Sequence, residues 1–464
     1  MNITASSLEE AILGVARAVP VGSTLPTMDE MNARTQVLSR HGGVKVRTVG
    51  ASRNGEAIEL ISIGDGPRSV LFVGTPHPNE AIGCLTIEYL VDCLLENDPA
   101  LFCEGLAGGW TWHFIKSIEP DGLRLNEAWL KTPFDLAAYL SGVFRPAAAE
   151  QAEYGFPFEA HGYHFDAGTL ETQAWAEALR LARPDLLLSL HNCEHGGSYY
   201  ILSRPFGDLA ERLSAQPQNF GVPLNPMGEG FDDDGMLAPG VYQSLDIDAL
   251  LRRWSEAGSK WPPPWHTGQS SFGYTAASGT LGLMVETPHW MEDPGIAANA
   301  PDVALSDIFA SAAVWCEDTR SLIAGYLAHL KDAPGVAAPR FIAALRDFRN
   351  SAERGAKAYA RPTSITLSAS NAAMQRRIVR LRQLRPIAML SRLIDWDLAR
   401  RPDAPQLHMA AKEVRAYLAQ ALADPLLADG MKPLPLHVSA GLQVRAALTA
   451  MAVIAAPQQA TNPS

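Results

Sequence analysis

The sequence predicts an α/β fold followed by an all-helical C-terminal domain. Two observations carry this reading. Three short apolar runs, at residues 70–73, 186–190 and 282–285, each have the length of a buried strand and each lead to a histidine or a glutamate. Beyond residue 335 the composition turns rich in Ala, Leu and Arg, with apolar residues at helical spacing.

The first run, Val70-Leu71-Phe72-Val73, breaks at Gly74-Thr75-Pro76 and leads to His77 and Glu80. A helix-like stretch follows from Ala81 to about Glu96. The break puts His77 and Glu80 on the turn leaving a strand, at the carboxyl edge where open α/β sheets place their ligands. An imidazole and a carboxylate held together there are ligand types of hydrolytic zinc sites. Their bland alternative is a solvated polar turn.

The second run, Leu186-Leu187-Leu188-Ser189-Leu190, follows Arg183-Pro184-Asp185 and ends at His191. A catalytic zinc takes three protein ligands and keeps one position open. His77, Glu80 and His191 supply such a set for one Zn2+ per chain, with His195 the rival third ligand. His161 and His164 make a second His-x-x-His pair, but no strand leads into them, and they read as loop or core residues. The third run ends at Glu286. A carboxylate at the end of a buried strand is costly unless it is paired or used, and metal-assisted hydrolysis needs a base. The alternative is a Glu emerging into solvent.

Residues 306–330 read as one helix, with Ile308, Phe309, Ala312, Ala313, Trp315, Ile323 and Leu327 on its apolar face. Asp332-Ala333-Pro334-Gly335 marks a boundary, giving a catalytic domain over 1–334 and a helical domain over 335–464. In the latter, 341–345 and 407–422 carry helical spacing. The basic stretch from Arg376 to Arg385 suits either an acidic partner or, as expected here, a solvated helix face laced with salt bridges. The tail over 457–464 is expected to be disordered.

Composition sets outer limits. A length of 464 residues suffices for two domains, and a net charge of −12 argues against a nucleic-acid partner. Five cysteines, odd in number and without framework spacing, read as reduced thiols of a cytoplasmic protein. The first ten residues lack the basic and apolar regions of a secretory signal. No stretch is expected to reach the length of a membrane span. Homo-oligomer formation stays open.

The order His77-x-x-Glu80, His191 after a leucine-rich strand, then Glu286 after another strand resembles the zinc metallocarboxypeptidase family. Residues 44–55 and 58–64 look like that family's opening hairpin, and Trp110-Thr111-Trp112-His113-Phe114-Ile115 followed by Glu119-Pro120-Asp121-Gly122 resembles its strand ending in Asn-Pro-Asp-Gly. The resemblance covers roughly 40–330. It implies a mixed, mostly parallel central sheet flanked by helices, zinc on His77, Glu80 and His191, and Glu286 as general base. Tyr274 resembles the family's substrate-capping tyrosine. The family's Asp-Leu-Asn-Arg-Asn-Trp is similar to Arg124-Leu125-Asn126-Glu127-Ala128-Trp129 here. Asn126 lines up, but Glu127 stands where the carboxylate-gripping arginine is expected. A guanidinium grips a carboxylate as a fork, so either Arg124 takes over anion binding or the accepted substrate end differs. For the oxyanion-stabilising arginine the candidates are Arg124, Arg145 and Arg204. The implied activity is hydrolysis of a peptide or acylated amino acid by a cytoplasmic enzyme. The alternatives are an N-acyl amino acid deacylase of the aspartoacylase kind and a carboxypeptidase-like binding scaffold.

Overall fold

Near-continuous apolar runs make strands that are buried on both faces, and the sheet is built around three of them. The computed structural model describes residues 5–102, 106–227, 235–256, 258, 267–293, 301–330 and 335–456. Its main sheet has ten strands: β1 Val44–Ala51, β2 Ala57–Ile63, β3 Arg68–Gly74, β4 Trp110–Ile115, β5 Leu186–His195, β6 Tyr199–Leu202, β7 Met236–Ala238, β8 Val241–Gln243, β9 Leu281–Glu292 and β10 Met431–Pro433. They lie in the order β1-β2-β4-β3-β5-β9-β6-β8-β7, with β10 added to β9. The four central strands β4, β3, β5 and β9 are mutually parallel. The hairpin β1–β2 and the pairs β2–β4 and β9–β6 are antiparallel. The sheet is therefore mixed with a parallel centre, as the resemblance implies.

The main helices are α1 Ala5–Arg17, α2 Met28–Leu38, α3 Ile82–Leu95, α4 Leu170–Ala182, α5 Leu305–Leu327, α6 Ala338–Tyr359, α7 Ala369–Arg400, α8 Pro405–Ala423 and α9 Leu436–Ala455. Side chains alternate across a strand, so the central strands feed two cores. Val70, Phe72, Leu188, Leu190 and Val285 pack with Ile87 of α3 and Val444 and Leu448 of α9. Leu71, Val73, Leu187 and Met284 pack with Ala174 and Trp175 of α4.

Two expectations need correction, on the basic stretch and on the length of one apolar helix. The C-terminal region is largely helical and packs on the sheet. Met431–Pro433 joins the main sheet against β9, and Leu390, Val444 and Leu448 share one core with Val70 and Leu188. The basic stretch is not solvated: Arg377, Arg380 and Arg385 are buried. Each has a specific partner, because an unpaired buried guanidinium would be prohibitive. Arg377 donates to Glu292 and to the carbonyls of Leu426 and Asp429. Arg380 lies over the rings of Trp315 and Tyr417, and Arg385 pairs with Glu194. Finally, Leu436–Ala455 is long and apolar enough to cross a membrane by length and composition, yet 72% of its apolar window is buried inside the protein. The boundary at 331–334, Cys103 and the tail at 457–464 lie outside the described residues.

Candidate metal centre

The turn after β3 is pinned before it reaches His77. A Cβ on Gly74 would sit 2.3 Å from the Lys116 carbonyl, so only glycine fits there. Thr75 adopts φ +46, in the left-handed region that a β-branched residue avoids, and its hydroxyl lies 2.5 Å from that of Ser117. The Glu80 N–H donates to the His77 carbonyl at 3.0 Å and closes the turn. α3 begins two residues later. The Asn192 side chain accepts from its first N–H, on Ile82, at 3.2 Å. Gly83 lies against Leu190, where a Cβ would come within 2.7 Å. The turn carrying two ligand-type residues is thus locked to strand β5.

His191 lies within β5 rather than at its exit. The strand runs on to His195 because its parallel partner β9 also runs on, and the register sets Glu286 directly opposite His191. Both side chains therefore project from the same face of the sheet.

The side chains converge. His77, Glu80 and His191 are buried and each offers one ligand atom within 4.8 Å of the others; among the described residues no other group of three ligand-type side chains does so. His191 Nδ1 is 2.8 Å from Glu80 Oε2 and 3.7 Å from Glu286 Oε1. Its other nitrogen, Nε2, is 2.9 Å from the Ser189 hydroxyl, which donates to Glu153 Oε2 at 2.9 Å. A hydroxyl has one proton, so Ser189 must accept from the Nε2–H of His191. The neutral ring then keeps its lone pair on Nδ1, facing Glu80 and Glu286. Glu153 is itself held by the Ser271 hydroxyl at 2.5 Å. An imidazole fixed through its far nitrogen to a hydroxyl and a carboxylate is the outer-shell arrangement of metal-ligating histidines.

The electrostatics match a cation. Burial, with the charges of Arg145, His191 and Arg385, holds His77 well below the usual imidazole range, so its ring stays neutral. His77 Nδ1 is buried without a hydrogen-bond partner, a lone pair suited to a metal. His191 is different: burial opposes its charge, but Glu80, Glu153 and Glu286 pull it up to about 10. That concentration of carboxylate around a buried ring is what a divalent cation would neutralise. Two imidazoles and one carboxylate are a donor set that zinc accepts, so the residues fit the ion.

The arginines sort themselves. Arg145 donates to Glu80 Oε1 at 2.5 Å and stands at the centre. Arg124 is engaged by Glu56 and Asp29, each at 2.8 Å. Arg204 lies over the Phe206 ring and donates to the Gly279 carbonyl at 3.2 Å. Asn126 is completely buried, donates to the carbonyls of Gly122 and Phe144, and accepts from Phe144 N–H and Trp129 Nε1–H. No polar atom of it is left for a substrate. Glu127 accepts from the Met28 N–H at 2.9 Å and sits 3.8 Å from Arg124. Tyr274 packs on Phe156 and lines an outer groove with Arg180 and Arg183, a groove to which no triad residue contributes. His195 is taken by Glu292 at 2.8 Å. His161 pairs with Asp248, and His164 with Glu159 and Asp166.

Several residues beside the centre carry no motif. Glu194 accepts from Arg385 at 2.6 Å and from the Tyr139 hydroxyl at 2.8 Å. Burial works against this carboxylate, but Arg385, Tyr139 and Arg145 outweigh it and hold the carboxyl at about 2. Ser189 could have been found from strand alternation, since it is two residues before His191. Arg385 could not, because a run of arginines does not say which of them turns inward.

Residues 32–151 match the model of a protein family, Peptidase_M14, described as zinc carboxypeptidase. Over that stretch the chain resembles the zinc carboxypeptidases. The matched stretch holds His77 and Glu80, while His191 and Glu286 lie beyond it. Similar solved structures include a metallo-carboxypeptidase from Burkholderia cenocepacia, at 17% identity over 57% of this chain and 60% of that one, TM-score 0.37. Carboxypeptidase A from Helicoverpa armigera is 14% identical over 76% of this chain and 81% of that one, TM-score 0.35. A metallo-carboxypeptidase from Pseudomonas aeruginosa, in complex with (2-guanidinoethylmercapto)succinic acid, is 14% identical over 80% and 70%, TM-score 0.31. The chain thus spans 60% of the length of the first of these. No curated protein matches it.

Proposed function

We propose that this chain is a zinc-dependent hydrolase of carboxypeptidase type that cleaves a peptide or amide bond. The observation that carries the reading is the buried cluster of His77, Glu80 and His191 with Glu286 set opposite His191 in the strand register. When bound, zinc would supply a Lewis acid for the scissile carbonyl. Glu286 takes the proton of the attacking water and passes it to the leaving amine. Ser189 and Glu153 hold the His191 ring in the tautomer that presents Nδ1. Arg145, beside Glu80, faces the negative charge that builds on the carbonyl oxygen. Arg385 is paired with Glu194 and holds that carboxylate beside the centre.

The test is metal analysis joined to a substrate screen. The wild-type protein should carry about one tightly bound zinc per chain, and both His77→Ala and His191→Ala should release it. The zinc-loaded protein is then offered peptides, murein peptides and N-acyl amino acids, with and without a free carboxylate. Full zinc content in His191→Ala would remove that residue from the centre. Turnover of N-acyl amino acids alone would make the enzyme a deacylase rather than a peptidase.

A further inference from the structure

A buried amide from the far end of the chain grips the candidate centre. Gln443 lies in α9, a mostly apolar helix, and is completely buried. Its Nε2 donates to the main-chain carbonyl of His191 at 2.8 Å. Its Oε1 accepts from the Thr86 hydroxyl at 2.6 Å. The carbonyl can only accept and the hydroxyl can donate, so the orientation of the amide follows from its partners. Thr86 is in α3, the helix that directly follows His77 and Glu80. One side chain thus joins the strand that carries one ligand to the helix that carries the turn with the other two.

An apolar residue would satisfy the packing of α9 at this position without any polar group to desolvate. The amide instead has both ends met inside the core, which ties two elements together in a fixed relation. Metal ligands tolerate displacement of only about 0.2 Å from their ideal distances. We propose that Gln443 is a positioning residue of the metal centre, and that the C-terminal region contributes to metal affinity through it. Asn192, which holds the first N–H of α3, is the near-side counterpart of the same fastening.

This inference rests on the zinc reading above. The experiment compares Gln443→Met, which keeps length and removes both polar contacts, with Thr449→Val, which removes a buried α9 hydroxyl that accepts from Gln216 and takes no part in the tie. Zinc affinity is measured by competition with a chromophoric chelator, ligand geometry by the absorption of the Co2+-loaded protein, and global stability by the Tm of the metal-free protein. Gln443→Met should weaken zinc about 10- to 100-fold, as outer-shell substitutions do, and shift the cobalt spectrum. Thr449→Val should lower the Tm of the metal-free protein yet leave zinc affinity within about threefold of wild type, well short of that outer-shell effect. Equal weakening by the two variants would reduce Gln443 to a packing residue and overturn the proposal. Wild-type affinity in Gln443→Met overturns it as well while leaving the zinc reading intact, whereas wild-type protein that binds neither zinc nor cobalt overturns both. Should Gln443→Met fail to fold, Gln443→Asn carries the same comparison, because it keeps the amide and withdraws it from His191.

Discussion

Replacing Arg385 with methionine should destabilise the protein in a pH-dependent way. Arg385 and Glu194 form an ion pair with side-chain exposures of 10% and 17%, so solvent screens it little. The Glu194 carboxyl is held at about 2 against an ordinary value of 4.5. At about 1.4 kcal/mol per tenfold, that gap is worth about 3 kcal/mol. A carboxyl held low stabilises the fold above its unfolded value, and this contribution fades as pH falls from about 4.5 towards 2. Methionine keeps the apolar stem beside Phe348 and removes the charge, leaving a buried carboxylate with the Tyr139 hydroxyl and the charge of Arg145. The expected loss at pH 7 is about 3 kcal/mol or more. With about 2.1 cal/mol/K per residue, a chain this long loses about 3 °C in Tm for that change. Without its arginine, Glu194 is pushed upward by burial and takes a proton as pH falls, so the deficit should narrow between pH 7 and pH 5. Urea unfolding of wild type, Arg385→Met and the double variant Arg385→Met/Glu194→Gln at both pH values checks this. A deficit that does not change with pH, or a double variant no more stable than the single one, would refute the electrostatic origin.

Other outcomes can be measured directly. Glu286→Gln should keep its zinc while turnover falls at least about 100-fold, and near-normal turnover would exclude it as the base. Glu194 is a poor substitute, since its carboxyl is held at about 2 by Arg385 and Tyr139 against the pull of burial. Glu127→Arg should leave the kcat/KM of carboxylate-terminated peptides unchanged, because Glu127 is bonded to the Met28 N–H and sits beside Arg124 rather than in the centre. A gain in kcat/KM would return Glu127 to the substrate site. Truncation before Gly335 should yield insoluble protein, since it strips α9 from Leu188 and β10 from β9. A soluble, zinc-binding truncation would contradict the shared core.

What could be read in the sequence was local. His77 and Glu80 follow an apolar run and a Gly/Pro break, and His191 and Glu286 sit on runs of their own, so strand placement brought them to one edge of the sheet. The mixed sheet with a parallel centre was implied by the resemblance, and the apolar runs agree with strands that have no wet face. What stayed hidden depends on long-range pairing. Asn126 is saturated by Phe144 and Trp129 in a loop packing that no short motif encodes. Arg377 and Arg385 look in the sequence like the other arginines of their run until Glu292 and Glu194 are seen to meet them. The three residues of β10 are too few to announce a strand, and only β9 makes them one.

The fastening by Gln443 also bears on when the centre can exist. His191 and Gln443 are 252 residues apart in sequence, and Thr86 and Gln443 are 357 apart. Contacts of such separation form late, after the entropy of closing a long loop has been met. During synthesis, at roughly 5–20 residues per second, residues 77–191 leave the ribosome many seconds before the helix that clasps them. The nascent chain therefore passes through a period in which His77, Glu80 and His191 exist but are not yet held, and the centre is complete only once α9 has been made and has docked.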